Sequence, residues 1–297
     1  MPEGHSIHRL AIQFNDLFAG QTLAARSPQG RFAEGAELID GLILEEAFAH
    51  GKHLFVRFEH GLHLNVHLGI YGAWTFGGDE TFAAASSIGA PRTIGERERD
   101  SAHTTVDLAE GLLPDPRPSV RLRVVGEHGW ADLTGPTVCR VLAENEVADV
   151  RATLGPDPLN QDADPQRFYD AASRTRRPIG VVLMDQKVIS GVGNIFRAES
   201  LFRQGIDPHR PSASLTADQL QSLWVDNRRL LEIGVQLGKI VTTDDLHRPG
   251  IALENAWPEH AHYVYHRQGF DCLRCGEKIQ MGEMAQRKVY WCPGCQH

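Results

Sequence analysis

Cys272-Leu-Arg-Cys275-Gly-Glu-Lys-Ile-Gln-Met-Gly-Glu-Met-Ala-Gln-Arg287-Lys-Val-Tyr-Trp-Cys292-Pro-Gly-Cys295 carries the strongest local signal in the chain. Two Cys-x2-Cys pairs stand sixteen residues apart, a spacing that suits four thiolates around one zinc ion. Each pair puts two sulfurs on a tight turn, which Gly276 and Gly294 ease. Four sulfurs close the coordination sphere, so a Zn2+ held by Cys272, Cys275, Cys292 and Cys295 would be structural rather than catalytic. The stretch between the pairs reads as a β-hairpin, and its Lys278, Arg287 and Lys288 could present cations to a phosphate. The fifth cysteine, Cys139, stands apart in Gly135-Pro-Thr-Val-Cys-Arg-Val-Leu142 and reads as a small buried residue. An odd count crowded at one end makes a poor disulfide framework.

Upstream of this module, Lys239–His262 shows no period and reads as a linker. Thr216-Ala-Asp-Gln219 is a capping-box pattern that opens a long helix to about Leu237. Before it, Ile189-Ser-Gly-Val-Gly-Asn194 is a glycine-punctuated turn between two predicted helices, Pro178–Lys187 and Ile195–Gln204. Arg174, Arg176, Arg177, Lys187 and Arg197 lie near this turn. Its glycines would let a phosphate approach backbone N–H groups, with Asn194 as a further donor. The same glycines also suit a plain helix–helix connection. A short helix is predicted over Pro165–Ser173, and the helical character begins at about Asn145.

Nearer the N-terminus the period changes to two. Leu54, Val56 and Phe58 alternate with Phe55 and Arg57, and Leu62, Leu64, Val66 and Leu68 alternate with His63, Asn65 and His67. These are paired strands joined by a turn at Glu59-His-Gly61, with further strands over Arg121–Val125 and Trp130–Leu133. Gly77 to Pro118 lacks periodic apolar residues and reads as a long loop. Ile7, Leu10, Ala11, Phe14, Leu17 and Phe18 form one face of a helix over Ser6–Phe18, with Gly20 as a stop.

Net charge is −8 over 297 residues, which by itself argues against a polyanion-binding protein. The distribution softens that argument. Residues 1–165 sum to −11, whereas residues 166–210 sum to +4 and 261–297 to +2. Fields act over a Debye length of about 8 Å, so a basic groove is compatible with an acidic whole. No apolar run is long enough for a membrane span, and the charged N-terminus does not read as a secretion signal, so a cytoplasmic location is expected. Met1-Pro2-Glu3-Gly4 carries one specific chemical option. Removal of Met1 would expose the secondary amine of Pro2, and α-amino groups titrate at about 7.7–8.0. The neutral amine can attack a sugar C1′ or an aldehyde to give an iminium, with Glu3 within reach of the same carbon.

Taken together, these pieces resemble the formamidopyrimidine-DNA glycosylase/endonuclease VIII family, and most closely its actinobacterial endonuclease VIII members. The likeness rests on the Pro-Glu-Gly start, Gly51-Lys-His-Leu54, His67-Leu-Gly-Ile-Tyr-Gly72, the block from Leu183-Met-Asp-Gln through Gly191-Val-Gly-Asn-Ile-Phe-Arg-Ala-Glu199, Tyr263-Val-Tyr-His-Arg267 and the terminal cysteine module. The resemblance implies an α+β multidomain fold. Its parts would be an N-terminal β-sandwich flanked by helices (1–138), a helical helix–two-turn–helix domain (139–260) and a C-terminal zinc ribbon (261–297). It implies a DNA N-glycosylase and abasic-site lyase acting by β,δ-elimination on oxidised bases, pyrimidines above all. Pro2 would be the Schiff-base nucleophile and Glu3 the proton donor and acceptor. Lys52 and Arg287 would grip phosphates at the catalytic centre, and Asn194 would hold a third. Glu199 would lie near the reacting sugar, and Ile70 and Tyr71 would fill the gap left by an everted base. Damaged DNA is the implied partner of a monomer associated with the nucleoid and not with membranes.

The chain departs from the family at His5 and Ser6, where relatives carry a second Pro-Glu pair. A sugar-side carboxylate is thus missing, and His5 reads as an exposed first-turn residue. That departure, with the net acidity, supports a second reading: a protein that binds damaged or abasic DNA with weak or no excision. A third reading, a generic zinc-ribbon interaction protein, leaves the N-terminal block unexplained.

Overall fold

The computed structural model describes residues 2–79, 82, 84–90 and 113–297. They divide into two compact units, one of Pro2 with Ser6–Arg151, the other of Glu3–His5 with Ala152–His297.

The first unit opens with α1 (Gly4–Phe18), in which Ile7, Leu10, Phe14 and Phe18 of the predicted stripe are buried. Burying a side chain of this size contributes about 2 kcal/mol. There follow β1 (Thr22–Arg26), α2 (Ala33–Ile39), β2 (Leu42–His50), β3 (His53–Phe58), β4 (Leu62–His67), β5 (Ala73–Gly78), β6 (Ser87–Gly89), β7 (Val120–Val125), β8 (Gly129–Thr134), β9 (Val138–Ala143) and α3 (Glu144–Ala152). The strand order is β6-β5-β8-β7-β1-β2-β3-β4-β9, with antiparallel neighbours throughout. β1 and β2 join through only two register pairs, Thr22↔Ile43 and Leu23↔Leu42. Leu54, Val56, Leu64 and Val66 from one side of that junction share a core with Trp74, Phe76, Leu122, Val124 and Leu133 from the other, and with α1. Two strand layers facing one core make a β-sandwich.

The predicted strands and the Glu59–Gly61 turn are present. The long loop expected from Gly77 is not continuous. β5 runs through Gly78, and β6 pairs with it by Ala73↔Gly89, Trp74↔Ile88 and Thr75↔Ser87. Small residues carry no apolar period, yet they allow close approach: a Cβ on Gly89 would lie 2.5 Å from the Cα of Ala73. Residues 91–112 of that expected loop lie outside the described residues. The boundary expected after residue 138 also moves. β9 pairs with β4 from His67↔Val138 to Leu62↔Ala143, so the sheet claims it and the unit ends at Arg151.

The second unit contains α4 (Pro165–Ser173), α5 (Ile179–Val182), α6 (Asn194–Arg203), α7 (Ala217–Leu237), β10 (Gln280–Met284) and β11 (Arg287–Trp291). Asp164 caps α4, accepting from the N–H of Gln166. The Thr216/Gln219 capping box makes both of its bonds, and Gly238 closes α7 at φ 66°. α5 is shorter than the predicted Pro178–Lys187 helix. After Leu183 the chain turns, because Gly155 N–H donates to Gln186 O and Ser190 N–H to Pro156 O. The cysteine module is not a separate body: Tyr263, Val264, Cys272, Ile279, Tyr290 and Cys292 share a cluster with Ala198 and Phe202 of α6. Among the described residues, no helix is long and apolar enough to cross a membrane.

Candidate active site and nucleic-acid interface

Glu3 is fully buried, and its carboxylate sits on the N-terminus of α6. Oε2 accepts from Gly193 N–H at 3.0 Å and from Phe196 N–H at 3.4 Å, and Oε1 accepts from Ile195 N–H at 2.9 Å. These are the free donors that every helix leaves at its start. The glycines of the preceding turn serve this approach. A Cβ on Gly193 would come within 2.3 Å of the Glu3 carboxyl carbon, and one on Gly4 within 2.7 Å of Gly191 Cα. Gly4 N–H donates to Gly191 O at 2.8 Å. Gln186 holds the turn from behind, accepting from Gly191 N–H and donating to Val192 O. Gly191-Val-Gly-Asn194 therefore receives the chain's own carboxylate: the Gly193 N–H is taken by Glu3 and the Gly191 N–H by Gln186, so neither of these two is open to a phosphate.

Asn194 and Arg197 form the next layer. Arg197 was expected among the cations around the turn, but it is fully buried and donates to Gly180 O, Lys288 O and Asn194 Oδ1. Burial draws its guanidinium down to about 10, opposed by the Glu3 carboxylate and assisted by Arg287. With Oδ1 turned to Arg197, the Asn194 amide keeps its NH2 as a donor, and this side chain also hydrogen-bonds Tyr265. Burial, then Glu3 and Tyr290, push the Tyr265 phenol up to about 12, so it stays protonated. Tyr265 was visible in the sequence only as part of a motif; its place beside Asn194 had no local signal.

The Glu199 carboxylate is engaged within the second unit. It is fully buried and accepts from Thr242 Oγ1 and from the N–H groups of Tyr263, Val264 and Tyr265. Every strong acceptor direction is used inside the unit, so Glu199 braces Tyr263-Val-Tyr265 and reaches a sugar only through that support. His5 is likewise buried rather than exposed, its ring edge-on to Phe196 at 5.4 Å.

Arg287 follows a two-residue hairpin turn closed by Met284↔Arg287. Ala285 and Gln286 both hold left-handed conformations, φ 51° and 59°, the geometry of a type I′ turn. The four cysteine ligand atoms lie within 4.8 Å of one another, with Cys272–Cys295 at 3.8 Å and Cys275–Cys292 at 3.4 Å. A tetrahedral ion about 2.3 Å from each sulfur needs sulfur–sulfur edges of about 3.8 Å, so this cluster fits a metal ion.

In the first unit, Pro2 is buried. Lys52 lies in the two-residue turn closed by His50↔His53, where Gly51 takes φ 59°. Around it, His53 is held down to about 4 by burial and then by His67, Arg140 and His50, and His67 is lowered by burial and Lys52. Ile70 and Tyr71 occupy the tight β4–β5 loop, in which Gly72 N–H donates to Leu68 O and Gly69 has φ 67°. Tyr71 is 76% exposed and Ile70 39%, so both apolar side chains are available.

A model of the formamidopyrimidine-DNA glycosylase N-terminal domain matches residues 1–123, and one of that enzyme's H2TH domain matches 154–245. The chain is 41% identical over 297 residues to endonuclease 8 1 of Mycobacterium tuberculosis, covering all of both. It is 29% identical over 303 residues to the formamidopyrimidine-DNA glycosylase of Thermus thermophilus, covering 100% of this chain and 98% of that one. The crystal structure of the Thermus thermophilus Fpg protein superposes with a TM-score of 0.71 at 25% identity, over 99% of this chain and 98% of that one. The Lactococcus lactis Fpg bound to DNA containing an abasic site gives 0.73 at 18% identity, over 99% of each chain. The two domain matches and the full-length similarity lead to one assignment: the chain belongs to the formamidopyrimidine-DNA glycosylase/endonuclease VIII family of DNA glycosylases and abasic-site lyases.

Proposed function

We propose that this chain removes oxidised pyrimidines from damaged DNA through a Schiff base on the nitrogen of Pro2, then cleaves the strand. The observation that carries the proposal is the Glu3 carboxylate, next in the chain to Pro2 and held by three backbone N–H groups at the start of α6. The everted nucleotide costs a few kcal/mol to extrude, less when it is poorly paired. The Pro2 lone pair bonds to C1′ as the N-glycosidic bond breaks, and the base leaves with that bond's electron pair and a proton. Opening of C1′–O4′ gives the iminium, with O4′ taking a proton. Glu3 serves these transfers as donor and acceptor. The iminium acidifies the C2′ proton; its removal expels the 3′ phosphate, and a second elimination expels the 5′ phosphate.

Lys52 and Arg287, each at a hairpin turn, bind phosphates, and the Asn194 NH2 binds another. Ile70 and Tyr71 fill the space of the everted base. One Zn2+ on Cys272, Cys275, Cys292 and Cys295 supports the hairpin that carries Arg287 and takes no part in the reaction. The protein acts as a monomer in the cytoplasm, on the nucleoid. The preference for pyrimidines is supported by the full-length likeness to an enzyme named endonuclease 8. Borohydride reduction on abasic-site DNA is expected to leave a covalent adduct that maps to Pro2, and a one-residue N-terminal extension is expected to abolish it. Adduct formation by the extended form would refute the nucleophile. Tight binding without an adduct, with Pro2 processed, would favour the lesion-binding reading.

A further inference from the structure

Three successive residues of the N-terminal segment each rest on a glycine of the second unit. Glu3 lies against Gly193, Gly4 against Gly191 and His5 against Gly234. The third contact has no counterpart in the chemistry above. Gly234 lies within α7, where glycine is unfavourable for a helix. A Cβ there would fall 2.9 Å from His5 Cβ and Cγ and 3.0 Å from Cδ2, so the ring occupies the space that the missing side chain leaves. The ring also meets Phe196, edge-on at 5.4 Å. Phe196 N–H is itself one of the three donors to Glu3. His5 thus touches both the helix that receives the Glu3 carboxylate and the helix packed behind it.

We propose that His5 is a positioning residue: its ring, seated over Gly234 and against Phe196, holds the Glu3 carboxylate on the N–H groups of Gly193, Ile195 and Phe196. The proposal rests on Glu3 acting in proton transfer. Glu3 lies two positions before the His5 anchor, with only Gly4 between them. Loosening that anchor lets the carboxylate drift from its donors, and small misplacements of a reacting group are costly.

The test uses the full-length, metal-loaded protein as wild type, His5→Ala, His5→Gly, Gly234→Ala and the double variant His5→Gly with Gly234→Ala. His5→Ala and Gly234→Ala are each expected to lower the single-turnover excision rate about 10- to 100-fold, with DNA affinity within about twofold of wild type. Gly234→Ala raises helix propensity but crowds His5, so its melting curve is taken alongside to separate loss of rate from loss of fold. In the His5→Gly background it is expected to add no further loss, because both the Cβ and the ring it would strike are gone. Amide hydrogen exchange supplies a readout that needs no substrate: the 193–196 amides are expected to exchange about tenfold faster in His5→Ala, with the middle of α7 unchanged. Unchanged exchange at 193–196, additive rate losses, or a loss confined to DNA affinity would each overturn the proposal. If wild type itself fails to excise, the Schiff-base reading falls, while the exchange result still decides what His5 does.

Discussion

The two units hold most of their candidate residues in opposite ways, Pro2 (buried in the first) and Arg287 (on a turn of the second) being the exceptions. In the first, Lys52, Ile70 and Tyr71 are displayed on short turns whose shape comes from Gly51 and Gly69 at positive φ. In the second, Glu3, Asn194, Arg197 and Glu199 are buried, and each is held by hydrogen bonds to chain segments that include distant ones. A turn-borne side chain can be removed without disturbing what lies beneath it. A buried polar group cannot, since its partners lose their bonds in a place water does not reach. Function and stability are therefore separable at Lys52, Ile70 and Tyr71 and tied together at Glu3, Asn194, Arg197 and Glu199.

Metal removal should expose this difference most strongly. A structural zinc ion on these four cysteines, as proposed, would contribute roughly 10 kcal/mol of apparent binding energy at neutral pH. Stripping the ion, or Cys292→Ala, is expected to free the amides of 272–297 to exchange and to abolish DNA binding, while the first unit keeps its melting transition. A common loss of both transitions would break the comparison. Next in size is Arg197→Met, which leaves Asn194 Oδ1, Gly180 O and Lys288 O without their donor. It is expected to destabilise the second unit by about 2–4 kcal/mol in denaturant titrations and to weaken DNA binding in parallel.

A pH titration probes the first unit. His53 titrates at 6.5 when unfolded and at about 4 when folded, burial being the largest cause. Below pH 6.5 the unfolded chain takes up a proton that the folded one refuses, so stability is full above 6.5 and is lost as pH falls toward 4. The loss is on the order of 3 kcal/mol, and His53→Gln should flatten that limb of the profile. The smallest stability effect is expected for Tyr71→Ala, within about 0.5 kcal/mol, because the side chain is mostly in solvent. Excision of a lesion from duplex DNA should nevertheless fall about tenfold while abasic-site cleavage in single strands is spared, since only the duplex needs its gap filled. A stability loss comparable to that of Arg197→Met would contradict the proposed separation.

How much was legible follows from the range of the forces involved. The α1 stripe, the Glu59–Gly61 hairpin, the Thr216 capping box and the Pro165 helix start were all readable, since each is caused within a few residues. β2 was not, because its apolar positions lose their alternation across a register shift between Leu44 and Glu46. β6 was not, because Ser87-Ile-Gly89 carries one apolar residue and is a strand only through β5. Arg197 illustrates the limit best. A lone arginine beside a glycine-rich turn looks like a phosphate ligand, and only packing reveals it as the buried donor that orients Asn194.

Local sequence already carries the four-thiolate module, the chemistry available at Pro2 and Glu3 and the identity of the main helices and hairpins. Spacing and residue type suffice for these. Only packing shows that the N-terminus of α6 is filled by Glu3, that the Glu199 carboxylate is engaged by Thr242 and Tyr263-Val-Tyr265, and that His5 is buried. The partners in those bonds lie up to 193 residues apart in the chain. Buried N–H groups and carboxylates must be paired wherever the fold brings them, and no local pattern records which distant partner meets that need.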